Sequence, residues 1–160
     1  KSTKKMNLLQ NHRGPDSNGF FFDKKNNVSF GMTRLAIIGL KSGRQPQYSN
    51  DKSIVLVFNG EIYNYKQLGN FYFNKDYTSD SKLLVDLYKK FGIDFLSKLN
   101  GMFSIAIFDK NKKKVFLIRD RFGIKPLYYT YINKCLYFSS ELQTLTNSIN
   151  IAENLDNALF

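Results

Sequence analysis

Tryptophan is absent from this 160-residue chain, and cysteine and histidine occur once each, as Cys135 and His12. A lone cysteine closes no internal disulfide, and one Cys with one His builds no thiolate–imidazole metal cluster, so no metal is expected. A Cys135–His12 nucleophile pair stands on residue type alone, because nothing in the sequence brings the two together. Cys135 lies in a predicted strand, Lys134-Cys135-Leu136-Tyr137-Phe138, where a free cysteine is expected to pack as a small hydrophobe. Long hydrophobic runs are also lacking. The segment 54–58 is among the longest, far short of the ~20 apolar residues a membrane span needs, and no membrane partner is expected. Residues 1–11 have a basic end without an apolar stretch, so no secretory signal is read there. A cytoplasmic location is expected, in agreement with the single cysteine. No Gly-rich phosphate loop of the usual pattern is found.

What is present suffices for one domain with a core: 42% of residues are hydrophobic, including 15 Phe and 10 Tyr. The net charge is +11. Lysines gather in small knots at 4–5, 24–25, 89–90 and 112–114, several beside turn residues, which reads as solvated loop tips. With no nucleic-acid motif beside the charge, a nucleic-acid partner is not expected, and a basic nucleic-acid-binding domain is the weakest reading.

Residues 1–11 read as the end of a helix with Met6, Leu8 and Leu9 as its apolar positions. The segment 12–19 is dense in turn formers. Two strands follow, 20–22 and 28–32, around a turn at 23–27. Residues 39–51 read as loop, and the β-branched run 54–58 as a strand buried on both faces. The clearest helix is 80–91, with Leu83, Leu84, Leu87, Tyr88 and Phe91 at helical spacing, Ser79 or Asp80 able to cap it and Gly92 suited to end it. A shorter helix is expected at 94–99. Hairpins are expected for 102–108 with 115–119 and for 127–131 with 136–139, then a helical turn from Glu141 to Leu145. Strands without apolar–polar alternation need a packed layer on each side, which gives an α+β arrangement.

The chemistry-bearing residues are scattered but complementary. Arg34 ends a strand among apolar residues, where a guanidinium fork suits a carboxylate. Asn59-Gly60-Glu61 follows the strand 54–58. An Asn side-chain amide and a Gly N–H are neutral donors that can both aim at one developing oxyanion, although Asn-Gly is also an ordinary hairpin turn. Asp80 opens a helix, where a carboxylate can equally be a cap. Together these groups describe a receptor for a free amino acid. Arg34 would take an α-carboxylate, Glu61 and Asp80 an α-ammonium, and Asn59 with Gly60 the tetrahedral intermediate of amide cleavage. No nucleophile accompanies them.

Arg13-Gly14-Pro15-Asp16, Arg34-Leu35-Ala36-Ile37, Gln45-Pro46, Asn59-Gly60-Glu61-Ile62-Tyr63-Asn64, Ser79-Asp80, Leu99-Asn100-Gly101-Met102-Phe103, Arg119-Asp120-Arg121-Phe122-Gly123-Ile124-Lys125-Pro126-Leu127-Tyr128 and Ser139-Ser140-Glu141 run in order along most of the chain. They resemble the glutaminase domain of asparagine synthetase, a class II, N-terminal-nucleophile glutamine amidotransferase. The resemblance implies a four-layer α-β-β-α sandwich of two antiparallel sheets. It implies L-glutamine bound by Arg34, Leu35, Ala36, Ile37, Ile38, Asn59, Gly60, Glu61 and Asp80, with Asn59 and Gly60 as the oxyanion hole and Arg13 and Asp16 shaping the active-site loop. It further implies glutamine hydrolysis that feeds ammonia to an ATP-dependent amidation of aspartate. ATP and Mg would belong to a C-terminal synthetase domain, this domain would need no cofactor, and a homodimer is allowed.

The departure lies at the start. The family's nucleophile is a cysteine at the mature N-terminus, whose α-amine, with a pKa of about 7.7–8, acts as base. Position 1 here is Lys, so the first strand and its cysteine are expected upstream of this sequence. The amidotransferase domain is read as 1–146 and 147–160 as the start of a linker. A non-catalytic glutamine-binding or interaction module that has lost the nucleophile is the alternative. Lys82 is a smaller departure, since the family usually has an acidic residue there.

Overall fold

The computed structural model describes residues 2–35 and 43–149. Its centre is an antiparallel sheet in the order β3-β4-β5-β6, built from β3 (Gln47–Tyr48), β4 (Ile54–Ile62), β5 (Gly101–Asp109) and β6 (Lys114–Arg119). β4 and β5 pair along their whole length, from Ile54 opposite Asp109 to Ile62 opposite Gly101. Successive strand residues point to opposite faces, so the unbroken apolar run of β4 feeds two cores. Ile54, Leu56 and Phe58 join Phe103, Ile105 and Ile107 on one face, against Leu83, Leu84 and Leu87. Val55 and Val57 join Ala106 and Phe108 on the other, against Phe21 and Phe30.

The first core is covered by α2 (Tyr65–Phe73), α3 (Asp80–Phe91) and a 3-10 stretch, Gly92–Lys98. Leu83, Leu84, Val85 and Leu87 of α3 are fully buried, each contributing about 1.5–3 kcal/mol relative to exposure. Gly92 ends α3 at a positive φ of 60°, which favours glycine. The second core is covered by two hairpins, β1 (Ser17–Asp23) with β2 (Val28–Arg34), and β7 (Tyr128–Ile132) with β8 (Cys135–Ser139). Phe30 and Phe138 meet across the two hairpins at 5.6 Å, although among the described residues the hairpins share no strand pairing. Outside them lie α1 (Ser2–Leu9) and α4 (Leu142–Ser148), which pack on each other. The expected α-β-β-α layering is therefore present.

Several details differ from the sequence reading. α1 turns Asn7 inward, bonded at 2.8 Å to Asn18, and leaves Leu8 and Leu9 exposed. Gly31 opposite it makes room for a polar contact and none for a leucine. Cys135 is exposed at the tip of the β7–β8 hairpin, so it is no core residue. Asn59-Gly60-Glu61 is no turn; it lies within β4, paired with β5. Ser79 makes no capping bond, and its hydroxyl pairs with that of Ser81 at 2.7 Å. Lys82 donates to the Tyr48 carbonyl at 3.0 Å, linking α3 to β3. Of the lysine knots, 89–90 lies in the last turn of α3 and 4–5 on α1. α4 runs past position 146 to Ser148, and the rest of the predicted linker, 150–160, lies outside the described residues.

Candidate active site

A cleft of about 360 Å³ opens where the end of β2, the end of β4 and the start of α3 converge. Arg13, Arg34 and Leu35 line it from the β1–β2 side, Asn59, Gly60 and Glu61 from β4, and Asp80 from α3. Arg13 and Asp80, 67 positions apart in sequence, thus line the same cleft. Asp16 does not line the cleft. Its N–H bonds the Arg34 carbonyl at 3.1 Å, and Pro15 bridges Arg34, so the turn 13–16 holds the end of β2 in place. Ala36, Ile37 and Ile38 lie outside the described residues.

Gly60 has φ 152°, and a Cβ there would run into the Met102 carbonyl across the β4–β5 pairing. Only glycine lets the two backbones close at this point. The Asn59 side-chain amide faces Ser140 Oγ at 3.5 Å, beyond the end of β8. Asp80 is buried, and its carboxylate accepts from the N–H of Ser81 at 2.7 Å and of Ile62 at 3.3 Å, which ties the start of α3 to β4. Burial raises its pKa above the ordinary carboxylate value, and the neighbouring Glu61 charge pushes the same way, against the lowering effect of the backbone donors. Two carboxylates close enough for the charge of one to act on the other favour a cationic ligand group.

The far side of the cleft is held by a clasped loop. Asp120 accepts four backbone N–H bonds, from Phe103, Phe122, Ile124 and Lys125, all between 3.0 and 3.1 Å. Burial works to raise its pKa, but the four donors outweigh it and bring it down to about 2. Arg119 holds the same loop by its carbonyls, Lys125 at 2.8 Å and Gly123 at 2.6 Å. Lys125 and Leu127 are thereby placed at the cleft. At the mouth, Glu141 Oε1 meets His12 Nε2 at 2.8 Å and Arg13 Nη1 at 3.4 Å. Sequence reasoning assigned no role to Gln45, Lys125 or Ser140, which also line the cleft. All three lie in quoted motifs, yet a motif alone names no contact.

The cleft has no cysteine in its walls: Cys135, the chain's only one, lies elsewhere. Among the described residues no group of three or more His, Cys, Asp and Glu could hold a metal ion. No described helix is long and apolar enough to cross a membrane.

The layering defines the fold class, an α-β-β-α sandwich with antiparallel sheets. The structure of glutamine phosphoribosylpyrophosphate amidotransferase from Bacillus subtilis, with ADP and GMP, shares this fold at TM-score 0.64 and 22% identity, over 76% of this chain and 29% of that one. Over residues 1–160 the sequence matches the family described as glutamine amidotransferase domain, and the chain belongs to that family. Asparagine synthetase [glutamine-hydrolyzing] 2 of Bacillus subtilis is 51% identical over 136 residues, 84% of this chain and 18% of that protein. Asparagine synthetase [glutamine-hydrolyzing] 1 of the same organism is 44% identical over 154 residues, 94% of this chain and 24% of that protein. The chain thus spans about a fifth to a quarter of the length of these relatives.

Proposed function

We propose that the cleft binds L-glutamine for hydrolysis to glutamate and ammonia. Arg34 takes the α-carboxylate, Glu61 and Asp80 take the α-ammonium, and Leu35, Ala36, Ile37 and Ile38 are assigned to glutamine binding as the family resemblance implies. Asn59 and the Gly60 N–H stabilise the oxyanion as the side-chain amide is cleaved, a role in which neutral preorganised donors are most effective. Arg13 and Asp16 shape the loop over the site. The observation that carries this reading is the meeting of a buried guanidinium, two close carboxylates and the Asn59–Gly60 donors in one small cleft.

The nucleophile in this proposal is not Cys135 but the N-terminal cysteine that the family resemblance implies. Its sulfur forms a thioester with the glutamine side-chain carbon as the C–N bond breaks, the thiol proton passes to the departing nitrogen, and neutral ammonia leaves. Water then releases glutamate. In the whole protein the ammonia passes to a C-terminal synthetase domain that amidates aspartate with ATP and Mg. The names and lengths of the relatives support that assignment. The amidotransferase domain itself, within 1–146, uses no cofactor. The reading places the whole protein in the cytoplasm and allows a homodimer.

The test is glutamate and ammonia release by the longest natural form of the protein. Asn59→Ala should lower kcat about 10²–10³-fold with KM little changed. Glutamine binding without any turnover in the wild type would overturn hydrolysis and leave a glutamine-binding module.

A further inference from the structure

We propose that Gln45 is a positioning residue for the Asn59–Gly60 donor pair, acting through the backbone of Phe58. The inference rests on the glutaminase reading and adds a residue to it.

β3 pairs with β4 over only two residues, Gln47 opposite Leu56 and Tyr48 opposite Val55. Continued by two positions, that register brings residue 45 opposite Phe58. The main chains do not pair there. The Gln45 side chain takes over instead: its Oε1 accepts the Phe58 N–H at 2.6 Å and its Nε2 donates to the Phe58 carbonyl at 2.8 Å. A primary amide presents the same donor and acceptor as a peptide group, so one side chain stands in for a strand. Without it a backbone N–H and C=O next to the cleft would lose their partners.

The position of this clamp gives it a catalytic consequence. N–H groups alternate from edge to edge along a strand. Phe58 and Gly60 therefore direct theirs to the same edge of β4, and Gln45 holds the first of the two. Asn59 lies between them. Fixing both backbone groups of Phe58 fixes the two peptide planes that flank it; the second ends at the Asn59 Cα, which carries the side-chain amide and joins directly to the peptide unit of the Gly60 N–H. The clamp is itself seated, because β1 lies directly on its backbone. A Cβ at position 19 would run into the Gln45 carbonyl, so Gly19 is what lets β1 approach. Gln45, Asn59 and Gly60 all line the cleft.

The experiment uses the full-length protein and compares Gln45→Met, of similar shape but without the amide, and Gln45→Asn, with an amide one methylene short. The control is Gln47→Met. Gln47 is buried in the same segment and bonds the Arg44 carbonyl at 2.7 Å, and it is absent from the cleft walls. Both Gln45 variants should lose roughly ten- to a hundredfold in kcat for glutamine hydrolysis, with KM within about twofold of wild type, as expected when a reacting geometry slips by about an ångström. The control should keep its kcat even if its Tm falls as far. Unchanged kcat in both Gln45 variants, a KM that rises in step with the loss, or an equal loss in the control would overturn the inference. A wild-type protein with no glutaminase activity would overturn the functional reading itself, and the inference with it.

Discussion

Asp80 and Asp120 are both buried carboxylates, yet their surroundings move them in opposite directions. Asp80 accepts from the N–H groups of Ile62 and Ser81, but burial and the Glu61 charge beside it raise its pKa. Its ionised form therefore costs stability in the empty site: the favourable contribution is present below the unfolded value near 3.9 and is lost as pH rises through the folded value. An ammonium offsets that cost. The increase in Tm produced by saturating glutamine should accordingly be larger at pH 7 than at pH 4.5, measured by thermal melts at both. An equal increase at the two pH values would remove Asp80 from the ammonium site. Asp120 has the opposite sign. With its pKa down to about 2, its contribution is present above about 3.9 and is lost as pH falls toward 2. Asp120→Asn puts an amide donor against two of the four N–H groups and should cost roughly 2–4 kcal/mol in urea unfolding at pH 7, with a much smaller difference from wild type at pH 2. At this scale the sequence singled out Arg34, Asn59, Gly60, Glu61 and Asp80, which all line the cleft, because each pairs a distinct chemistry with a strand end or helix start. Gln45 was hidden because its role depends on β-sheet register, which no residue type announces.

Elements were legible where periodicity was strong. α3 follows from its leucine stripe, and Leu84→Ala, at a fully buried site, should lower stability by about 2–5 kcal/mol in a urea titration; a loss under 1 kcal/mol would contradict the packing described. β4 was read only to Phe58, since Asn-Gly suggests a turn. It continues because β5 supplies a partner through Gly101 and Gly60 closes onto Met102. Helix α2, Tyr65–Phe73, went unread. Its aromatics and its Gly69 and Asn70 are weak helix formers, and it is held by packing instead, with Leu68 and Gly69 buried and Tyr72 and Phe73 set against the first core. α1 was found but rotated, because a polar Asn7–Asn18 contact, not the leucines, sets its inner face.

Over the whole molecule, doubly buried strands implied covering layers, and the layers are there. How the second sheet divides was not legible, because hairpin signals do not say which hairpins join. Tyr129 lies opposite Phe138 and Tyr131 opposite Leu136, and directly opposed residues share a face. That face packs Phe138 inward yet leaves Tyr129 70% and Tyr131 68% exposed. An open sheet face with unpaired edges promotes association. The 160-residue chain alone should self-associate with rising concentration in sedimentation velocity, and Tyr129→Lys with Tyr131→Lys should reduce this. A wild-type chain that stays monomeric at high concentration would contradict the account of that face.

The most direct test of the central claim is calorimetric titration of the chain with L-glutamine, alongside Arg34→Ala. The account predicts one site per chain that requires both the α-carboxylate and the α-ammonium. Loss of the buried Arg34 should weaken binding by roughly 2–5 kcal/mol. No binding by the wild type, or unchanged affinity in Arg34→Ala, would contradict it.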